Sequence, residues 1–200
     1  MSKKKRGHGE PRGTEPVDRS GGKTGYFFTT PVSLPFGAAS AVLRQGRLHA
    51  VEWERSREDL RAALSDAFPG AEEISAGECA AGRLLRRYSE GRPVWPVDVA
   101  AVHVGWDLVR GFQRRVLKEI VKVPYGRTIS YGELAAQVGN RNAARAVGAA
   151  LSRNPWPVIV PCHRVVGACG GLVGFGKGIP AKRILLEFET GNLEMPKVIS

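Results

Sequence analysis

Three short apolar runs, YFFTTPVSL, GAASAVL and RLHAVEW, follow one another from Tyr26 and are interrupted at Pro35-Phe36-Gly37 and Arg44-Gln45-Gly46. Runs of this length, rich in aromatic and β-branched residues and broken by turn formers, predict strands of a small antiparallel sheet. In SREDLRAALSDAF the period changes: Leu60, Ala63, Leu64 and Phe68 fall at helical spacing behind Ser56, an N-cap with Asp59 three residues on, and Pro69-Gly70 ends the helix. A second helix is predicted from about Gly77 to Ser89. The proline-rich GRPVWPVDV then reads as an extended connection, with a domain boundary near residues 95–104.

Beyond that connection Val109, Phe112, Val116, Leu117, Ile120 and Val121 recur at helical intervals until Pro124-Tyr125-Gly126. Ser130 and Glu133 form an S-x-x-E capping box opening YGELAAQV, which Gly139 ends. Asn140 or Asn142 is the expected cap of a further helix, ARAVGAALSR. Two short helices joined at a glycine predict a helix-turn-helix. The apolar run VIV, after Pro155-Trp156-Pro157, reads as a short buried strand or extended segment, and a glycine-rich stretch leads to a last helix, PAKRILLEFETG, with Pro180 in its first turn and Gly191 at its end. The fold class is α+β: a small N-terminal α/β domain over 26–100, then a mainly helical domain over 101–192. A basic tail (1–25), too poor in apolar residues to order, and a short C-terminal tail (193–200) flank them.

Charge narrows the partners. Thirty Lys and Arg against nineteen Asp and Glu give a net charge of +11, which favours a polyanion, because each cation meeting a phosphate releases counterions. Three cysteines without regular spacing argue against a disulfide framework and for a reduced compartment. No secretory signal and no membrane span are expected from the apolar runs.

The second helix of the helix-turn-helix carries almost none of the long polar side chains that read a major groove. Its Ala143, Ala144, Ala146 and Gly148 leave bare backbone around one arginine, Arg145. Such a surface suits a minor groove, with one long side chain reaching into the base stack. Alanine is also the best helix former and glycine permits close packing, so the small residues alone fit either reading, and an isolated arginine is by default a solvated one.

Cys162 follows the apolar run and precedes His163 and Arg164. Burial alone would make the thiol inert, whereas a base or cation beside it would favour the thiolate. His163 can reach the sulfur only across a turn or through a water, and it acts better as a base if a carboxylate holds its other nitrogen. Glu189, set against local preference at the C-terminal end of the last helix, is a candidate for that carboxylate; an exposed glutamate is the plainer reading. No zinc-ligand spacing is present.

Taken together, Pro161-Cys162-His163-Arg164-Val165 preceded by Asn154-Pro155, PYGRTISYGELA (124–135), NAARAVGAAL (142–151), and Gly178, Lys182, Leu185, Leu186 and Glu189 of the last helix resemble the O6-alkylguanine-DNA alkyltransferases. The resemblance is dense over about 106–191 and weaker over 26–100. It implies direct repair of double-stranded DNA by a monomer bound through the minor groove: the alkylated guanine is flipped out and its alkyl group passes irreversibly to Cys162, without a cofactor. The N-terminal cysteines of the family's zinc-binding members are absent here, so no structural zinc is expected. It further implies His163 as a water-linked base, Glu189 as its orienting carboxylate, Tyr131 as a donor to the leaving guanine and Asn154 as the residue holding the active-site turn. By the same resemblance Arg145 fills the space left by the flipped nucleotide, backbone groups of Cys162, Val165 and Gly176 recognise guanine, and Phe175 and Pro157 line the pocket. A cytoplasmic, nucleoid-associated protein is expected, or a nuclear one in a eukaryote. Lys177 departs from the pattern, standing where relatives carry a small residue or a bulky aromatic. The rival readings are a non-catalytic protein that recognises alkylated bases and a cysteine hydrolase.

Overall fold

The computed structural model describes residues 25–192; both tails expected from the sequence lie outside the described residues. Strands β1 (Tyr26–Thr29), β2 (Val32–Leu34), β3 (Gly37–Arg44) and β4 (Arg47–Glu54) form where the turn signals place them. Gln45 and Gly46 both take positive φ (50° and 70°), the geometry of a two-residue hairpin loop whose twist matches its strands. β3 is the central strand, antiparallel to β4 on one side and to β1 and β2 on the other.

Helix α1 (Arg57–Ala67) begins where Ser56 accepts a hydrogen bond from the Asp59 amide, and its Leu60 and Leu64 cover Ala38, Val42 and Ala50 on one sheet face. The chain then returns in a strand not foreseen from the sequence, β5 (Glu72–Ile74), which pairs parallel with β1 (Phe27↔Glu72). The sheet is therefore mixed and not purely antiparallel: a helical crossover delivers the returning strand in the same direction as its neighbour.

The second predicted helix starts later than expected. Ala76–Glu78 forms one tight turn capped by Ser75, and α2 spans Ala80–Ser89. Gly82 lets the two meet, since a Cβ there would lie 2.3 Å from the Ala76 carbonyl oxygen. Gly82→Ala is expected to lower stability by about 1–3 kcal/mol, because the overlap with backbone outweighs the roughly 1 kcal/mol gained in helix propensity; urea unfolding with an unchanged midpoint would show that the turn yields freely. Nor is the proline-rich connection wholly extended: Pro96–Ala100 forms α3, Pro96 being well suited to a first turn, with the Trp95 amide donating to Asp98 at 2.7 Å.

In the second half α4 (Gly111–Ile120), α5 (Tyr131–Gln137) and α6 (Ala144–Leu151) pack around Leu117, Ile120, Leu134, Val147 and Ala150. The Ser130/Glu133 capping box forms as expected. Neither asparagine caps α6: Ala143 stands at the N-cap without a side-chain bond, and Asn140 Oδ1 accepts from the Asn142 amide, shaping the linker. The run VIV is buried but is a turn, not a strand, with Val158 at φ 70° and Val160 N bonded to Trp156 O. An apolar run signals burial and leaves the backbone conformation open.

Two short strands, β6 (Ile129–Ser130) and β7 (Val165–Val166), pair parallel, and α7 (Ile179–Glu189) closes the described chain. The principal core runs unbroken from Trp53 and Tyr88 of the first half to Ile120, Trp156 and Leu185 of the second.

Candidate active site

Cys162, His163 and Arg164 occupy a single 3-10 turn immediately before β7. The β6–β7 ladder joins this turn to the start of α5, which brings Tyr131 beside it. Asn154 holds the turn from the other side: its Nδ2 donates to Val160 O (2.8 Å) and to Cys162 Sγ (3.2 Å), while its Oδ1 accepts from Trp156 N (3.0 Å). Cys162 is 7% exposed. Burial pushes the thiol above its ordinary pKa, and the Asn154 hydrogen bond, main-chain amides and the charge of Lys182 pull it back.

The next two side chains of the turn are both buried. His163 is fully buried, with Nε2 2.6 Å from Glu189 Oε1, and its other ring nitrogen, Nδ1, has no hydrogen-bond partner among the described residues. Burial lowers its pKa and the Glu189 charge opposes that shift. Arg164, read from the sequence as a cation beside the thiol, instead clamps Glu189 with Nε (2.9 Å) and Nη2 (3.0 Å) and caps Val123 O with Nη1 (2.7 Å). Gly126 N also donates to Glu189 Oε2 (3.0 Å). Burial would raise the Glu189 pKa, but His163 and Arg164 override it and bring it down to about 2. Glu189 is thus a buried, saturated carboxylate and not the exposed glutamate of the plainer reading.

Tyr131 does not present a free hydroxyl. Its OH lies 3.0 Å from Val173 O and 3.1 Å from Gly174 O, in the glycine-rich loop. Lys182, buried in α7, donates to the same Val173 carbonyl (2.8 Å) and lies 5.6 Å from the centroid of the Tyr131 ring. Lys182 as a site residue was missed from the sequence, although a signal existed: it shares the buried helical face of Leu185, Phe188 and Glu189.

Two cavities meet at Cys162 with Phe175 and Gly176 between them. One, about 500 Å³, is lined by Tyr131, Arg145, Gly148 and Val173; the other, about 300 Å³, by Glu52, Trp53, Asn154, Pro157 and Lys177. Arg145 is exposed on α6, with Ala146 exposed and Ala143, Ala144 and Gly148 partly so. A Cβ at Gly148 would meet Tyr131 at 3.6 Å, an ordinary contact, so helix packing does not require that glycine. Val165 is not brought to either cavity: it is fully buried in β7 with its amide bonded to Cys162 O.

Among the described residues no group of three or more His, Cys, Asp or Glu is placed to hold a metal ion, and no helix is long and apolar enough to cross a membrane. A helix-turn-helix whose second helix bears one exposed arginine, Arg145, beside a buried cysteine backed by a His-Glu pair, is the arrangement of a DNA-binding protein. Comparison with known proteins gives the family. Residues 111–191 match the family described as 6-O-methylguanine DNA methyltransferase, DNA binding domain. The methylated-DNA-protein-cysteine methyltransferase of Salmonella typhimurium is 37% identical over 164 residues, covering 79% of this chain and 92% of that protein. The corresponding protein of Mycobacterium leprae is 59% identical over 78 residues, 39% of this chain; that match spans only 47% of the relative. Among solved structures, a Mycobacterium tuberculosis protein of the same kind in complex with DNA superposes with a TM-score of 0.65 at 33% identity, covering 83% of this chain and 94% of that one. The chain belongs to the methylated-DNA-protein-cysteine methyltransferase family.

Proposed function

We propose that this protein repairs O6-alkylguanine in double-stranded DNA by a single irreversible transfer of the alkyl group to Cys162. The observation that carries the proposal is the position of Cys162, at the junction of two cavities with Asn154 on its sulfur and the His163–Glu189 pair behind it. His163 takes the thiol proton through Nδ1, by way of a water, and Glu189 stabilises the imidazolium that results. The sulfur then attacks the alkyl carbon: the S–C bond forms, the C–O6 bond breaks, and the electron pair passes to the guanine, which is discharged by protonation. Tyr131, released from the loop carbonyls, donates to the developing anion. Gly176 and Phe175 border the base and Pro157 the alkyl group. No step returns the sulfur to its starting state, so each molecule acts once.

On the same reading α6 enters the minor groove, Ala143, Ala144, Ala146 and Gly148 allow close approach, and Arg145 occupies the stack vacated by the flipped nucleotide. The chain acts as a monomer. Arg145→Ala is expected to slow transfer from duplex about 10- to 100-fold, the cost of a few kcal/mol in extracting the base, while the free base O6-benzylguanine reacts at the parent rate. Equal rates on duplex would remove the arginine from the mechanism.

The deciding measurement is intact mass after mixing with excess duplex containing O6-methylguanine, followed by peptide mapping. One methyl group confined to Cys162 and matched by one restored guanine supports the proposal. Binding without added mass points to a recognition protein, and repeated product release without an adduct to a hydrolase.

A further inference from the structure

Strand β4 is an edge strand of the N-terminal sheet, yet its outer side is not left to solvent. The second half of the chain pairs with it group by group. Leu48 N donates to His103 O (2.8 Å) and Leu48 O accepts from Gly105 N (3.0 Å); further along, Val51 N donates to Pro155 O (2.8 Å). The Trp156 indole donates to His49 O (3.0 Å). The last carbonyl of the series, Trp53 O, is met by Lys177 Nζ at 3.0 Å, and the same ammonium lies 2.9 Å from Glu54 Oε1. Of these main-chain groups of β4, Trp53 O is the one met by a flexible, charged side chain; a second charged link, Arg47 to Asp107, stands at the opposite end of the strand.

The Lys177 link also reaches a segment bounded by two glycines. Gly174 and Gly178 take positive φ (49° and 89°), and within the segment between them Phe175 O accepts from Gly178 N. Tyr131 and Lys182 secure Val173 on the inner side. On the outer side stand Lys177 and the Trp53 ring, whose centroid lies 5.8 Å from that of Phe175. Phe175 and Gly176, between these two attachments, form the wall common to both cavities at Cys162.

We propose that Lys177 is a positioning residue that fastens the Gly174–Gly178 loop to the N-terminal sheet through Trp53 O and Glu54, and thereby sets the wall beside Cys162. For its effect on alkyl transfer the inference rests on the function proposed above; for its effect on the loop it does not. With side chains 43% and 36% exposed, the ion pair is partly screened, so its influence is local and moderate.

The test is a charge-reversal cycle on the full chain: Lys177→Glu, Glu54→Lys and the two combined. Each single variant is expected to speed hydrogen exchange of the 173–177 amides and to slow the maximal single-turnover rate on saturating O6-methylguanine duplex, about fivefold, with the double variant recovering part of that loss, since the ion pair is restored while the bond to Trp53 O, which a carboxylate cannot donate, is not. A purely electrostatic effect of Lys177 on DNA predicts something else: Glu54→Lys, which adds positive charge, would tighten binding and speed the reaction, and the double variant would show no coupling. That result, or unchanged loop exchange in both single variants, overturns the proposal. Should the parent transfer no methyl group at all, the functional reading fails, and loop exchange across the same four proteins still decides the fastening.

Discussion

Cys162→Ala is expected to acquire no alkyl group from O6-methylguanine duplex while binding that duplex with an affinity within about threefold of the parent, since affinity comes chiefly from contacts to phosphate. Cys162 is 7% exposed, and its sulfur accepts a hydrogen bond from Asn154. Removing it opens a small gap in a turn still fixed by the Asn154 bond to Val160 O and by the β6–β7 ladder. The fold therefore persists at a cost of about 1–2 kcal/mol. Intact mass and a fluorescence-anisotropy titration together check both halves. Adduct formation in the variant would mean that the thiol is not the acceptor, and loss of binding would mean that Cys162 organises the DNA surface as well as the chemistry.

The second large effect concerns stability. Arg164→Met removes both hydrogen bonds that clamp Glu189 and the one that caps Val123 O, all of them buried. Leaving a buried carboxylate short of its cation costs about 3–5 kcal/mol. At roughly 2–4 °C per kcal/mol for a chain of this size, the melting temperature should fall by about 6–20 °C, readable by calorimetry. A loss below about 1 kcal/mol would show that Gly126 N and His163 satisfy the carboxylate by themselves.

The same cluster sets the response to acid. His163 has a lowered pKa because burial favours its neutral form, so the unfolded chain binds the proton more readily, and the stabilisation present above the ordinary value of 6.5 drains away as pH falls below it. Glu189, ordinarily near 4.5 and held at about 2, contributes stability that is complete above 4.5 and is lost as pH falls towards 2. Denaturation midpoints should therefore decline in two stages on acidification. In Arg164→Met the lower stage should move to higher pH, because the carboxylate has lost its permanently charged partner.

The chain states its local grammar openly. Ser56 with Asp59, Ser130 with Glu133, and Gln45-Gly46 each act within four residues, so cap and turn chemistry could be read before any fold was known, and each formed as read. The cysteine, the histidine beside it and the motif around them were legible for the same reason, being contiguous in sequence. Asn140 and Asn142 failed as caps because another short-range bond, between themselves, was available to them.

Local pattern along the chain therefore sets caps, tight turns and apolar faces and marks candidates for chemistry, while it leaves β5 and α3 unseen and starts α2 too early. Tertiary structure alone decided how the elements are partnered. β5 is a strand because β1 offers a free edge, and the apolar Val158–Val160 is a turn because the core encloses it on all sides. Arg164 turns from the adjacent thiol to Glu189, 25 residues away, and Lys177 crosses 123 residues to Glu54. A long cationic side chain finds its counter-charge only when folding has brought the two together and removed the water that would otherwise screen them, and no pattern of neighbours along the chain records that encounter.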